Sequence, residues 1–72
     1  MNTSNKQKSE MMTTDEVARY LRISRASVYR LVKDKKIPVS KIGRQLRFRK
    51  DAIDRWLLKK ESETVEWEKE EN

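Results

Sequence analysis

Apolar residues recur along the chain at two spacings, helical in three stretches and alternating in one. The first stretch opens at Met12-Thr13-Thr14-Asp15-Glu16-Val17. Thr13 is placed to cap a helix, and Glu16, three residues on, to reach back to it, which is a capping box. Met12 and Val17 then fall at the N′ and N4 positions and form a hydrophobic staple around the cap. The spacing predicts a two-turn helix to about Leu21 that buries Val17, Ala18 and Leu21. After the tight connection Arg22-Ile23, Ser24 caps a second helix. Val28, Leu31 and Val32 lie on one side of it, and Lys33, Lys35 and Lys36 crowd its last turn, where positive charge suits the helix dipole. Ile37-Pro38 is expected to stop it, because the residue before proline is pushed out of helical geometry.

Over Val39 to Arg49 the period changes to two. Leu46 and Phe48 alternate with Arg47 and Arg49, the mark of a half-buried strand, and Gly43, the chain's one glycine, marks a hairpin turn. A two-residue loop pairs Ile42 with Gln45 and sets Lys41 beside Leu46. A three-residue loop, Gly43-Arg44-Gln45, pairs Ile42 with Leu46 and turns Lys41, Arg47 and Arg49 outward. The second keeps one face apolar and is the expected register. A last helix is predicted from about Lys50 to Lys60, with Ile53, Trp56 and Leu57 as the stripe that closes the core. The short connection between the first two helices, the second of them basic, gives a helix-turn-helix pattern. With the hairpin as wing, the expected fold is mainly α with a small β-hairpin, a winged helix-turn-helix. Residues 1–10 read as a disordered arm, 11–60 as the domain and 61–72 as an acidic tail.

Composition narrows the chemistry. The chain has 72 residues, 35% hydrophobic and 42% charged, which suffices for one core. Cysteine and histidine are absent, which excludes disulfides, thiolate metal sites and zinc fingers, and argues against most acid–base catalysis. No catalytic residue, metal ligand or cofactor site is expected. No apolar run approaches bilayer length, so a cytoplasmic protein with no membrane partner is expected. The net charge of +6 is unevenly spread: 17 Lys/Arg face 6 Asp/Glu through Lys60, and beyond it Lys69 faces six glutamates. So basic a body favours a polyanion, because neutralising phosphates releases condensed counterions.

Taken together, Met12-Thr13-Thr14-Asp15-Glu16-Val17-Ala18, Ile23-Ser24-Arg25-Ala26-Ser27-Val28-Tyr29-Arg30-Leu31, Ile37-Pro38, Ile42-Gly43-Arg44, Arg47-Phe48-Arg49 and Ile53-Asp54-Arg55-Trp56-Leu57 resemble the excisionase-type, MerR-like DNA-binding domain over roughly residues 11–59. The resemblance implies a second helix in the major groove and a wing on phosphates or the adjacent minor groove of double-stranded DNA. The family's base-reading positions fall on Ala26 and Arg30. Arg30 suits a bidentate contact to guanine. Ala26 offers only a methyl, for a thymine methyl, and Arg25 and Ser27 beside it can substitute as readers. Arg44 stands at the wing tip, where the family places an arginine after glycine. Arg47, Arg49 and Lys33 are candidate phosphate contacts, and Tyr29 can donate its hydroxyl to a phosphate. Trp56 is expected in the core rather than as a stacking platform.

The resemblance leaves two roles open, a recombination directionality factor (an excisionase) or a small transcriptional regulator, in a prokaryotic, phage or mobile-element setting on the nucleoid. It implies an integrase or neighbouring copies of the chain as partners. Full MerR regulators add a coiled coil and an effector region, patterns these residues lack, so no small-molecule ligand is expected. An RNA-binding module would need exposed aromatics, and alternation puts Phe48 inside. A protein-binding adaptor acting through the acidic tail is the other alternative. The tail itself reads as a solvated, disordered end that keeps a basic protein soluble, with an autoinhibitory fold-back over Arg44 and Arg47 as the competing use for it.

Overall fold

The computed structural model describes residues 10–71, the last eight of them as helix backbone. In chain order the elements are β1 (Met11–Met12), α1 (Thr14–Leu21), α2 (Arg25–Lys33), β2 (Ser40–Ile42), β3 (Gln45–Arg49) and α3 (Lys50–Glu71). The capping box forms as its sequence dictates: Glu16 N–H donates to Thr13 Oγ1 at 3.1 Å, and Thr13 N–H to Glu16 Oε1 at 2.9 Å. Both members of the staple, Met12 and Val17, are buried. Ser24 caps α2, accepting from Ser27 N–H at 3.0 Å.

Neither α1 nor α2 ends on a glycine or a proline. Arg22 and Lys35 each take φ +59°. The N–H of Ile23 then donates to Ala18 C=O and that of Lys36 to Leu31 C=O, both at 2.9 Å. These are Schellman closures with a long basic residue in the left-handed position that glycine fills more cheaply. The second one ends α2 before Ile37-Pro38 is reached. The stop expected at the proline is therefore made three residues earlier by backbone hydrogen bonds.

The hairpin corrects the expected register. Ser40, Lys41 and Ile42 lie opposite Arg47, Leu46 and Gln45, so the loop is the two-residue Gly43-Arg44. The turn chemistry explains it. Gly43 has φ +64° at the first loop position, where a tight hairpin of the II′ type requires glycine. Lys41 consequently shares a face with Leu46, and Ile42 is turned outward, 59% exposed. The apolar face expected of β2 does not form, because β2 buries none of its three residues and neither placement costs burial. Arg47 and Arg49 keep the outward face expected of them. A strand absent from the sequence reading completes the sheet: β1 pairs antiparallel with β3, Met12 opposite Phe48 and Met11 opposite Arg49, giving the order β1-β3-β2.

β3 runs directly into α3, which continues to Glu71 instead of ending near Lys60. Residues 61–71 are thus the second half of one helix, and an unbroken helix does not fold back over Arg44 and Arg47. The arm expected over residues 1–10 lies, apart from Glu10, outside the described residues. Phe48, Ile53, Val17 and Val28 are fully buried and, with Met12, Ala18 and Ile37, form the core. Leu21, Leu31, Val32, Leu46 and Trp56 pack around it. Trp56, expected in the core, is half-buried and packs against it from the edge, its Nε1–H donating to Lys36 C=O at 2.7 Å. Leu57 is half-buried outside that cluster.

A polar clasp joins α1 to α3. Tyr20 Oη donates to Asp54 Oδ1 at 2.5 Å, Lys50 Nζ donates to Asp54 Oδ2 at 3.1 Å, and the same ammonium lies 5.1 Å from the centre of the Tyr20 ring. The Tyr20 hydroxyl and the Lys50 ammonium hold the Asp54 carboxyl below its ordinary value of 3.8. Asp54 and Tyr20 together raise Lys50 above 10.5. Because the depressed carboxyl stabilises the fold only while ionised, its contribution is complete above pH 4 and is lost as pH falls through the lowered value. The Lys50 contribution is complete below 10.5 and is lost as pH rises beyond it. Asp54→Asn should therefore start with a lower thermal midpoint at pH 7 and lose less than the parent chain between about pH 4 and pH 2. Circular dichroism melts across that range check it, and parallel pH profiles would refute the linkage.

Candidate nucleic-acid interface

The residues singled out from sequence divide into two groups on α2. At 100° per residue, Arg25, Tyr29, Lys33, Ala26 and Arg30 follow one another around an arc of roughly 140°. All five are exposed, and α2 contains no acidic residue. Val28 points the other way into the core, with Leu31 and Val32 beside it. The amphipathic pattern that builds the core thus leaves a continuous basic arc outside. Ser27 lies off this arc. It is half-buried, and its hydroxyl is engaged with Ser24 Oγ at 3.0 Å, so it serves the cap.

One edge of the arc opens into a cleft of about 380 Å³ between the α1 N-terminus, α2 and the wing. Arg25 and Tyr29 line it from α2, Arg44 and Arg47 from the wing, and Thr14 and Asp15 from the first turn of α1. The fold therefore brings four of the nine sequence candidates to one concave surface. Two of them are held in place. Arg25 Nη1 pairs with Asp15 Oδ1 at 3.1 Å. Arg47 donates through Nη1 to Leu46 C=O at 2.9 Å and through Nη2 to Gln45 Oε1 at 2.6 Å. A guanidinium has five N–H donors, so each retains donors for a ligand. Arg44 stands exposed at the wing tip next to Gly43.

Arg49 is separate. It projects from the outer sheet face, pairs with Asp51 at 3.4 Å, and with Arg47 borders a second hollow beside Ser40. Ala26, Arg30 and Lys33 do not line the cleft and occupy the remainder of the exposed arc. The sequence reading missed Thr14, Asp15 and Gln45. The signal for the first two was available, since the N-terminus of a helix presents free N–H groups and a positive dipole end. Gln45 became a cleft residue only when the shorter loop moved it from the turn into β3.

Such a surface offers concentrated guanidinium groups, a helix N-terminus and one phenol hydroxyl around a concavity that is open to solvent. Groups of this kind can pair with an extended anion. No group of His, Cys, Asp or Glu among the described residues is arranged to hold a metal ion. None of their helices is long and apolar enough to cross a membrane.

Comparison with known proteins agrees with the architecture. Two curated relatives from Mycobacterium tuberculosis, in strains CDC 1551 / Oshkosh and ATCC 25618 / H37Rv, are each 37% identical over 46 residues, which is 64% of this chain and 59% of theirs. The first is named "Putative DNA-binding protein MT0521", the second likewise with the designation Rv0500A. The chain thus spans about three fifths of the length of these relatives. No solved structure matches it at a significant level. Residues 11–61, from β1 through the first half of α3, match the helix-turn-helix domain, and the chain belongs to that family.

Proposed function

We propose that the chain binds double-stranded DNA sequence-specifically, with α2 in the major groove and the β2–β3 wing on the flanking backbone and minor groove. The observation that carries this reading is the acid-free exposed arc of α2, continuous with a cleft it shares with Arg44 and Arg47. An α-helix fills the major groove, and a guanidinium-lined concavity beside it suits the phosphate strand that borders the groove. The names of the mycobacterial relatives point the same way. Full burial of Phe48 leaves β3 without an aromatic on which a single-stranded RNA base could stack. The reading includes no catalytic step and no cofactor. It places the protein on the nucleoid, as a recombination directionality factor beside an integrase or as a small transcriptional regulator. An excision assay with the recombinase separates these two roles.

Arg30 and Arg47 have different parts in this reading, and that difference is the test. Arg30→Ala should lose about 1–3 kcal/mol on a cognate duplex and relax preference at one base pair, as a lost bidentate contact does. Arg47→Ala should weaken all duplexes by a similar factor and lower the salt slope by about one. Fluorescence anisotropy on cognate and scrambled duplexes measures both. Equal weakening of the two duplexes by Arg30→Ala would remove α2 from the base-reading role.

A further inference from the structure

A second cleft, again of about 380 Å³, lies at the opposite end of α2 from Arg25 and shares no residue with the first. Lys35 and Lys36, in the turn after α2, and Lys59 and Lys60, in the middle of α3, surround an apolar floor of Pro38 and Trp56. The floor is fixed by the Trp56 hydrogen bond to Lys36 C=O, and the Lys60 ammonium stands 6.0 Å from the centre of the indole. Lys60 also pairs with Glu63 at 3.2 Å, so this cleft already accepts one carboxylate at its rim. Lys35, Lys36 and Lys59 are exposed. Ammonium groups around an aromatic floor suit an acidic segment with some apolar content better than a bare phosphate chain, which makes no use of the floor.

The chain itself carries such a segment. Residues 61–71 contain six glutamates and one lysine, with Val65 and Trp67 among them. Their backbone continues α3 without a break to Glu71. That continuity also decides which cleft they can reach. Lys59 and Lys60 stand on the same helix, so the segment runs on along the axis for roughly 17 Å past Lys60 instead of doubling back. Glu63 meets Lys60 at the rim of its own cleft, and past Glu63 the backbone leads away from that cleft, toward another molecule.

We propose that the lysine cleft of one copy receives the acidic half of α3 of a second copy. The contact is between unlike surfaces, tail into cleft, and it leaves the Arg25–Arg47 cleft of both copies open. Because it is built mainly from exposed charges, it is weak and salt-sensitive. It does not depend on DNA binding, so it is tested without DNA.

Sedimentation velocity of the full chain at a few hundred micromolar should show species heavier than one chain at about 50 mM salt and a single chain at about 500 mM, where screening is several-fold shorter in range. Lys35→Glu with Lys59→Glu should give a single-chain mass at both salts. Glu66→Lys with Glu70→Lys should do the same. Mixing the two charge-reversed proteins should restore the heavier species, because each cleft again meets a tail of opposite sign. Circular dichroism confirms that both variants are folded. A single-chain mass for the parent at low salt would overturn the proposal, as would assembly that survives both reversals or a mixture that stays monomeric. If the parent stays monomeric while Lys35→Glu with Lys59→Glu weakens binding to a single-site duplex tenfold or more, the cleft belongs to phosphates.

Discussion

Raising monovalent salt from about 50 to 200 mM is expected to weaken duplex binding roughly 250- to 4,000-fold, a log–log slope of about −4 to −6. The estimate follows from the number of cations the fold can set against a phosphate backbone. Arg25, Arg44 and Arg47 line the α2–wing cleft, Arg30 and Lys33 stand on the exposed arc, and Arg49 projects from the outer sheet face. Some of these are partly spent within the protein. Asp15 holds Arg25 and Asp51 holds Arg49, and each carboxylate repels the phosphate that its arginine would meet. Roughly four to six effective contacts remain, each releasing somewhat less than one counterion. An anisotropy titration at five or six salt concentrations gives the slope directly. A slope near zero would remove the polyanion reading of the whole basic face, whatever the sequence preference of Arg30.

Phe48→Ala should lower the thermal midpoint by roughly 15–30 °C, corresponding to about 3–5 kcal/mol for a fully truncated aromatic core residue. Phe48 is fully buried at the centre of the three-stranded sheet, opposite Met12 on β1, and shares its cluster with Val17, Val28 and Ile53. A chain of this size has only about 4–11 kcal/mol of stability in total. The loss would therefore leave a substantial unfolded fraction at 37 °C. Arg49→Ala, one residue along and facing solvent, should stay within about 0.5 kcal/mol of the parent. Melts of the two variants side by side separate a core role from a general intolerance of β3. A Phe48→Ala midpoint close to the parent's would mean that the hydrophobic cluster is not what holds the sheet to the helices.

What the sequence made legible, and what it did not, follows the range of the interactions involved. The Thr13–Glu16 box and the Ser24 cap are settled within four residues, and both form as read. The apolar spacing of Val17, Val28, Phe48 and Ile53 is likewise a local pattern, and all four are fully buried. The hairpin register was a contest between two local signals, alternation and glycine placement, and the turn prevailed because β2 had no burial to lose. β1 escaped notice since two residues have no period, and its partner Arg49 lies 38 positions away. The extension of α3 was hidden for a different reason. Residues 61–71 carry no apolar stripe, but glutamate and lysine are good helix formers and continue a helix already nucleated. Of the site, the chemistry of each arginine could be read, whereas the meeting of Arg25, Tyr29, Arg44 and Arg47 around one concavity needed the register and the packing of the wing on α1.

The Met12–Phe48 pairing also orders events in time. A chain leaving the ribosome presents both caps and both helices of the helix-turn-helix before residue 48 exists, so Met12 waits beside Val17 with no strand to join. Closing that gap spans 36 residues, a loop whose entropic cost precedes any gain from the sheet. The slow event of folding is therefore expected to be the docking of a late strand onto an early helix pair, and the nascent protein exposes its half-built core until β3 emerges.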